Sequence, residues 1–220
     1  MGKVLAYVLA TPATGDDADN TLRFVYGNEG TTLDLGRFAD RFSCEVSDAY
    51  GSSEGGVTIF RVPGMPSAAL GRGAPGTVVL DPETGRPCRR AEFGPDGRVV
   101  NSDEAVGEIA RVGEDLDFDG YWNNAEAEAD KVRDGIFWTG DLGYLADAEL
   151  FLTGRRKDVV IKGGRNIYPH EAEAVVAAIE GIRKGCVAVF GVADAGLGTE
   201  RLVVVAETRE TDPAARDQLQ

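Results

Sequence analysis

Histidine is almost absent from this 220-residue sequence, because His170 is the only one. A single histidine excludes the HExxH zinc motif and makes any Ser-His-Asp triad depend on that one residue. His170 follows Pro169 where a helix is predicted to begin, so we interpret it as a surface side chain. The common hydrolase classes are therefore not indicated.

Cysteines and long apolar runs are also scarce. The three cysteines, Cys44, Cys88 and Cys186, lie far apart and form no CxxC pair. This spacing favours reduced thiols over a disulfide framework or a zinc site. We find no signal-peptide pattern and no apolar run long enough to span a bilayer, so we expect a cytoplasmic location without a transmembrane segment.

Positive charge is under-represented, since 23 Lys and Arg face 37 Asp and Glu for a formal net charge of −14. This balance argues against a nucleic acid or an anionic membrane as the main partner. A nucleotide can still bind, because backbone amides and a few local cations reverse the field within one cleft. A hydrophobic content of 43% supports a packed core, and 29 glycines predict many sharp turns.

The densest chemistry lies in residues 137–166. Asp141 is flanked by Gly140 and Gly143 after a short aromatic strand, which predicts a carboxylate that projects from a tight turn. Two carboxylate oxygens suit a vicinal diol such as a ribose, whose two hydroxyls both donate. The alternative is that Asp141 bonds its own backbone, as aspartate commonly does in turns. The cations of residues 155–157 favour a nucleotide ligand.

A second candidate stretch, residues 50–56, reads YGSSEGG. Tyr50 and the polar residues after it could form a backbone cradle that carries one carboxylate, Glu54. An ordinary glycine and serine loop is the alternative. A hydroxyl in such a loop can donate to a phosphate oxygen, and a hard carboxylate suits a hard cation such as Mg²⁺.

Taken in order along the chain, YGSSEG, WTGDLGY and TGRRKDVVIKGGRNIYPHEAEAV closely resemble the signature motifs of the adenylate-forming superfamily. This superfamily comprises acyl-CoA synthetases, adenylation domains and luciferases. The wider spacing is most similar to the very-long-chain, fatty-acid-transport type of acyl-CoA synthetase. The resemblance covers essentially the whole sequence but only the back part of a full enzyme.

The resemblance implies a role for each matching residue. In the second motif, Asp141 would bind the ribose hydroxyls; in the third, Arg155 would assist it, and Lys157 would be the hinge of a small rotating domain. In the first motif, Tyr50 would stack on adenine, and Ser53 would bond the acyl-adenylate phosphate.

Glu54 would coordinate Mg²⁺, so the catalytic set is Ser53, Glu54 and Lys157. The cofactor-binding set implied by the resemblance is Gly27, Asn28, Tyr50, Gly51, Ser53, Asp141, Arg155, Gly163 and Gly164.

The glycine pair Gly163-Gly164 has two interpretations. An ordinary hairpin turn is one, since such turns favour glycine. The resemblance implies the other, in which this bare turn borders the tunnel for the pantetheine arm of CoA, because a residue without a side chain lets a thin ligand pass close to the backbone.

The predicted fold class is α/β plus α+β. Residues 1–156 would form the end of a large adenylate-forming domain with a β-rich subdomain, and residues 157–220 a small mobile C-terminal α+β domain. Periodicity predicts a buried strand around LRFVYGNEG and a helix over residues 34–42 with Leu35, Phe38, Ala39 and Phe42 on one face. It also predicts a helix capped by Asn124.

In the small domain we predict a strand before Gly163-Gly164 and a helix that begins at Pro169. That helix would present Ala172, Val175, Val176 and Ile179 on one face. Two strands, CVAVFGV and RLVVVAE, would complete the α+β unit.

The activity implied by the resemblance is ATP-dependent activation of a fatty acid to acyl-AMP, followed by transfer to CoA, with ATP, Mg²⁺ and CoA as cofactors. Two alternatives stay open: acylation of a carrier protein, and a non-enzymatic remnant or binding module. Peripheral membrane contact and association with a missing N-terminal portion also stay open.

The sequence contains no serine-rich and threonine-rich phosphate loop of the TSGTTGxPK kind. It also stops before the position at which the family carries its adenylation lysine. If each of these groups stabilises developing phosphate charge by roughly a few kcal/mol, their absence slows adenylation by several powers of ten. We therefore expect the purified 220-residue chain to be nearly inactive in ATP-pyrophosphate exchange, and exchange at an ordinary enzymatic rate would contradict this expectation.

Overall fold

The computed structural model describes residues 2–27, 32–62, 64–66, 68–114, 116, 118–194, 196, 198–211 and 216. The chain divides into two compact units. Unit 1 consists of residues 1–139 and 143–152, and unit 2 of residues 140–142 and 153–220. The predicted domain division at Lys157 stays a prediction. None of the helices in these described ranges has the length and apolarity needed to cross a membrane.

Unit 1 begins with a four-stranded sheet in the order β1-β2-β3-β4, in which β1 runs parallel to β2 and the other pairs are antiparallel. Its elements are α1 (Gly2–Leu9), β1 (Phe24–Gly27), α2 (Thr32–Phe42), β2 (Glu45–Ser52), β3 (Gly55–Phe60) and β4 (Arg72–Gly73). The predicted burial of β1 is wrong: Phe24 and Tyr26 are more than half exposed, because β1 lies at the edge of this sheet.

Helix α2 follows its predicted pattern. Phe38 is buried, and its ring lies 4.5 Å from that of Phe42. Arg41, near the end of the helix, donates to the carbonyl of Val8 in α1 and to those of Thr11 and Pro12 just after α1. Its Nε also pairs with Asp17 at 2.6 Å, and this hydrogen bond lowers the pKa of Asp17 to about 2. One guanidinium therefore fastens α2 to the N-terminal segment.

A second sheet has the order β5-β6-β8-β7, with β9 paired to β8. Its strands are β5 (Thr77–Leu80), β6 (Gly107–Val112), β7 (Val132–Arg133), β8 (Ile136–Ala146) and β9 (Glu149–Arg155). Between β5 and β6 lie turns, the short helix α3 (Ser102–Ala105) and an isolated bridge between Phe93 and Val99. The main buried cluster of unit 1 is Val57, Ile59, Val79, Ile109, Phe137 and Leu150.

Local capping signals place the next elements. The side chain of Asn124 accepts from Ala127 N at 3.2 Å, which confirms the predicted cap of α4 (Ala125–Lys131). Asp134 and Gly135 both have positive φ, as a two-residue hairpin turn between β7 and β8 requires.

Unit 2 contains a 3₁₀ turn followed by a mixed α+β set. The elements are the turn Arg156–Asp158, β10 (Val160–Lys162), β11 (Arg165–Ile167), α5 (Pro169–Ala177), β12 (Ile182–Asp194) and β13 (Thr199–Thr208). Strands β10 and β11 pair with each other, as do β12 and β13, and both pairs are antiparallel.

Helix α5 begins at Pro169 as predicted, but its predicted apolar face is partly wrong. Val175 and Ile179 are exposed, since the helix ends at Ala177 and its packed side faces β12. On that side, Glu173 Oε1 accepts from the backbone N–H of Val189 at 3.0 Å. The contact with β12 thus includes a polar group that a hydrophobic pattern does not reveal.

Candidate functional site

The YGSSEGG stretch forms a β-hairpin in unit 1. Strand β2 ends at Ser52, β3 begins at Gly55, and these two residues pair across a turn of two residues. Gly55 and Gly56 have φ of 83° and 57°, which glycine adopts without strain. The stretch is therefore a tight turn between two strands that carries Ser53 and Glu54, and its use as a backbone cradle stays a prediction.

Glu54 is held by two groups that lie more than 60 residues further along the chain. The hydroxyl of Tyr121 donates to Glu54 Oε1 at 2.6 Å, and Lys131 Nζ lies 3.7 Å from the same oxygen. Lys131 also donates to the carbonyl of Thr139 at 2.9 Å. The hydrogen bond from Tyr121 lowers the pKa of Glu54, so this half-buried carboxyl stays ionised at neutral pH.

The tyrosine that holds Glu54 is itself fixed by aromatic packing. The ring of Phe118 lies 5.2 Å from that of Tyr121 and 5.5 Å from that of buried Phe137, both in edge-to-face geometry. Burial, followed by the interaction with Glu54, raises the pKa of Tyr121 to about 12. The phenol therefore remains a donor over the physiological pH range.

No motif or spacing in the sequence indicates Tyr121 or Lys131 as a neighbour of Glu54. Tyr121 lies just before the Asn124 cap, and Lys131 is the last residue of α4. A basic residue at the end of a helix is common, so neither position by itself indicates a functional site. Only the packing of residues 118–131 on the sheet brings them to the turn.

Glu54 suits one part of a magnesium site. Among the residues described, no group of three or more His, Cys, Asp and Glu side chains is arranged to hold a metal ion. Mg²⁺ commonly uses one or two carboxylates together with waters and substrate phosphates, so an ionised Glu54 fits as one protein ligand. Its role as a magnesium ligand stays a prediction.

The other predicted residues of the first motif have mixed surroundings. Tyr50 is half-buried and packs against the core cluster of unit 1. A side chain at Gly51 would meet only Val57 O at 3.7 Å, so packing alone does not require glycine there. Gly27 ends β1 opposite Asp48 of β2. Asn28 lies outside the described residues.

Asp141 lies within strand β8, so its predicted position in a tight turn is wrong. The preceding Gly140 has a φ of 83°, a local irregularity within the strand that favours glycine without forming a turn. Asp141 Oδ1 lies 3.3 Å from Nε of Arg155 on the adjacent strand β9. The carboxylate is 15% exposed and the guanidinium 61%, so the pair has a covered acid and an accessible cation. Both residues belong to unit 2.

The remaining predicted residues follow in unit 2. Lys157 is exposed in the 3₁₀ turn that follows Arg155. Gly163 and Gly164 connect β10 and β11 with φ of 58° and 78°, the conformation of a two-residue hairpin turn that favours glycine at both positions. This confirms the hairpin interpretation. A Cβ at either position would have no neighbour within 4 Å, so the turn is open, and its place beside a tunnel stays a prediction.

The chain is similar in sequence to known CoA ligases along most of its length. The chain is 38% identical over 218 residues to a steroid-22-oyl-CoA synthetase of Rhodococcus jostii, covering 97% of this chain and 39% of that protein. It is 40% identical over 201 residues to a medium/long-chain-fatty-acid–CoA ligase of Mycobacterium tuberculosis, covering 91% of this chain and 37% of that protein. The chain thus spans about two-fifths of the length of these relatives. No family model matches.

Solved structures match this chain over nearly its whole length and, like the sequence relatives, are matched over about two-fifths of their own. ATP-bound MatB of Rhodopseudomonas palustris superposes with a TM-score of 0.71 at 27% identity, over 96% of this chain and 40% of that one. An ATP-bound chimera of the same protein gives a TM-score of 0.71 at 28% identity, over 96% of this chain and 41% of that one. The mixed strand and helix architecture of these proteins confirms the predicted α+β fold class.

The contact between Tyr121 and Glu54 gives a testable pKa difference. We expect Tyr121→Phe to raise the pKa of Glu54, because the hydrogen bond that lowers it most is lost. A lowered folded-state pKa stabilises the fold above the unfolded value, and this stabilisation is lost as pH falls through the folded pKa. The variant should therefore lose less stability than the wild type on acidification.

Carbon-13 NMR titration of the Glu54 carboxyl measures the pKa, and urea midpoints at neutral and acid pH measure the linkage. Tyr7→Phe is the matched control, since Tyr7 is well exposed on α1. An unchanged Glu54 titration in Tyr121→Phe would contradict the assignment.

Proposed function

We propose that this chain, whose homologues are acyl-CoA ligases of the adenylate-forming superfamily, forms part of an enzyme that activates a carboxylic acid with ATP and transfers the acyl group to CoA. The observation that carries the proposal is that relatives with 38% and 40% identity over more than nine-tenths of the chain are both CoA ligases. The paired Asp141 and Arg155 add a geometry suited to a nucleotide.

In the first half-reaction, a carboxylate oxygen of the substrate attacks the α-phosphorus of ATP and pyrophosphate leaves. We assign Asp141 to the two ribose hydroxyls, because two acceptor oxygens match two donors. Arg155 holds that carboxylate from the adjacent strand through its Nε. The ribose is thereby oriented before the phosphate reacts, which lowers the entropic part of the barrier.

In this proposal the residues of the first motif are assigned to the base and to the phosphates of the nucleotide. Tyr50 stacks on adenine, Ser53 donates its exposed hydroxyl to the phosphate of the acyl-adenylate, and Glu54 holds Mg²⁺. When bound, Mg²⁺ supplies neutralisation of phosphate charge. Tyr121 and Lys131 hold the Glu54 carboxylate through Oε1, so the turn presents an ionised group in a fixed place.

In the second half-reaction, the thiol sulfur of CoA attacks the acyl carbonyl, AMP leaves, and the thiol proton is released. Lys157 is the proposed hinge for a rotation of the small domain between the two half-reactions. Its exposed position in a short 3₁₀ turn supports this role, because such a turn has few contacts that resist a backbone change. The turn formed by Gly163 and Gly164 is proposed to lie beside the pantetheine arm of CoA.

We propose an apolar carboxylic acid of the fatty-acid class as the substrate. The names of the relatives above, a steroid-22-oyl-CoA synthetase and a medium/long-chain-fatty-acid–CoA ligase, support this class. The same names favour CoA over a carrier-protein thiol as the acceptor. The subtype suggested by the sequence, very-long-chain and fatty-acid-transport, stays a prediction.

The role of Asp141 is tested by calorimetric titration of the purified chain with AMP. We expect Asp141→Asn to weaken AMP binding roughly tenfold or more, because hydrogen bonds to a charged acceptor are worth about 1.5–3 kcal/mol. Asp147→Asn is the matched control: it makes the same charge change in the β8–β9 turn, where φ is 51° and asparagine is well tolerated.

Two results would count against the proposal. Equal AMP affinity of Asp141→Asn and the wild type would remove Asp141 from the ribose site. Absence of any AMP binding by the wild type would show that these residues do not form a nucleotide site in this chain.

A further inference from the structure

The β10–β11 hairpin is tied to the beginning of β13 by two side chains. Thr199 Oγ1 accepts from the backbone N–H of Gly163 at 2.9 Å and donates to the carbonyl of Ile161 at 3.0 Å. Glu200 Oε2 accepts from the backbone N–H of Ile161 at 2.5 Å. Three hydrogen bonds therefore fix the glycine turn to a strand nearly 40 residues away in sequence.

The path of Glu200 depends on a third position. Glu200 pairs with Ala193 across the β12–β13 ladder, and its side chain extends past Gly191. A Cβ at Gly191 would lie 2.8 Å from Glu200 Oε1, and the φ of Gly191 is not positive. A side chain at position 191 would therefore require the Glu200 carboxylate to shift.

Val160 at the base of the hairpin is buried, whereas the strand residues nearest the turn, Ile161, Lys162, Arg165 and Asn166, are exposed. Its strands contain three residues each, and Ile161 is 55% exposed. An isolated two-stranded hairpin is at best marginally stable in water, so the position of its turn depends on outside contacts. Gly163 and Gly164 carry no side chain that could anchor them.

We propose that Thr199 and Glu200 are positioning residues that hold the Gly163-Gly164 turn in place for the thin pantetheine arm of CoA. This inference rests on the proposed function, in which the turn borders that arm. Because the N–H of Gly163 is already bonded to Thr199, the turn offers the arm a bare backbone surface at a fixed position. Loss of the Thr199 hydroxyl would make the Gly163-Gly164 turn more mobile, while the backbone pairing of β10 with β11 would remain.

The test is a nitrogen-15 NMR titration of the full 220-residue chain with coenzyme A, and separately with AMP. In the wild type, CoA should shift the amide signals of Gly163 and Gly164. Thr199→Val, which keeps the shape and removes the hydroxyl, should raise hydrogen exchange at Gly163 about fivefold, the equivalent of one ordinary hydrogen bond. It should weaken the CoA response by a similar factor and leave the AMP response unchanged.

Thr199→Ser is the rescue variant, since it keeps the hydroxyl, and it should restore both exchange protection and CoA affinity. Gly191→Ala tests the Glu200 arm and should raise exchange at Ile161. If Thr199→Val does not fold, Thr199→Ala takes its place, with signal dispersion as the check.

The titration distinguishes failure of the proposed CoA site from failure of the positioning role of Thr199. If CoA leaves the wild-type glycine amides unmoved, the proposed CoA site at this turn is wrong, and the positioning role falls with it. If CoA shifts them equally in the wild type and in Thr199→Val, the proposed function stands and the positioning role is overturned. Failure of Thr199→Ser to restore CoA affinity would also overturn the positioning role.

Discussion

The ion pair between Asp141 and Arg155 is the interaction on which the proposed nucleotide site depends. It places a covered carboxylate on β8 and an accessible guanidinium on β9, with 3.3 Å between Oδ1 and Nε. A carboxylate has two oxygens that accept hydrogen bonds, and a neighbouring cation restricts the directions in which they point. The left-handed backbone of Gly140 directly precedes this carboxylate, so the sequence around Asp141 is constrained by conformation as well as by chemistry.

The hairpin that carries Glu54 shows the same principle in unit 1. The turn presents the carboxylate, but Tyr121 and Lys131 orient it, and the packing of Phe118 on Phe137 orients Tyr121. In unit 2, Thr199 holds the glycine turn in a comparable way. In both hairpins the residues assigned to the ligand are held by side chains that the signature motifs do not contain.

Features set by sequence neighbours were predicted well. The Asn124 cap, the helix start at Pro169 and the Gly163-Gly164 hairpin depend on backbone preferences that a few adjacent residues determine. Features set by distant packing were missed. The exposure of β1 follows from its edge position, and the exposure of Val175 follows from the way α5 lies on β12.

The residues of the candidate site also fall into those found from neighbouring residues in the sequence and those found only from long-range contacts. Motif resemblance supplied Asp141, Arg155 and Glu54, whereas Tyr121 and Thr199 became visible only through contacts formed across 67 and 36 residues. A hydroxyl that serves as a distant hydrogen-bond partner has no spacing signature, because its partner is a backbone group or a remote carboxylate. Such residues are therefore found from the three-dimensional structure and not from a sequence pattern.

The most direct measurement compares the affinity of the unaltered chain for AMP and for 2′,3′-dideoxy-AMP by calorimetry. The two ligands share the base and the phosphate and differ only in the ribose hydroxyls that Asp141 is proposed to bind. Loss of two hydrogen bonds to a charged acceptor predicts that AMP binds at least about tenfold more tightly. Equal affinities for the two ligands would contradict the account.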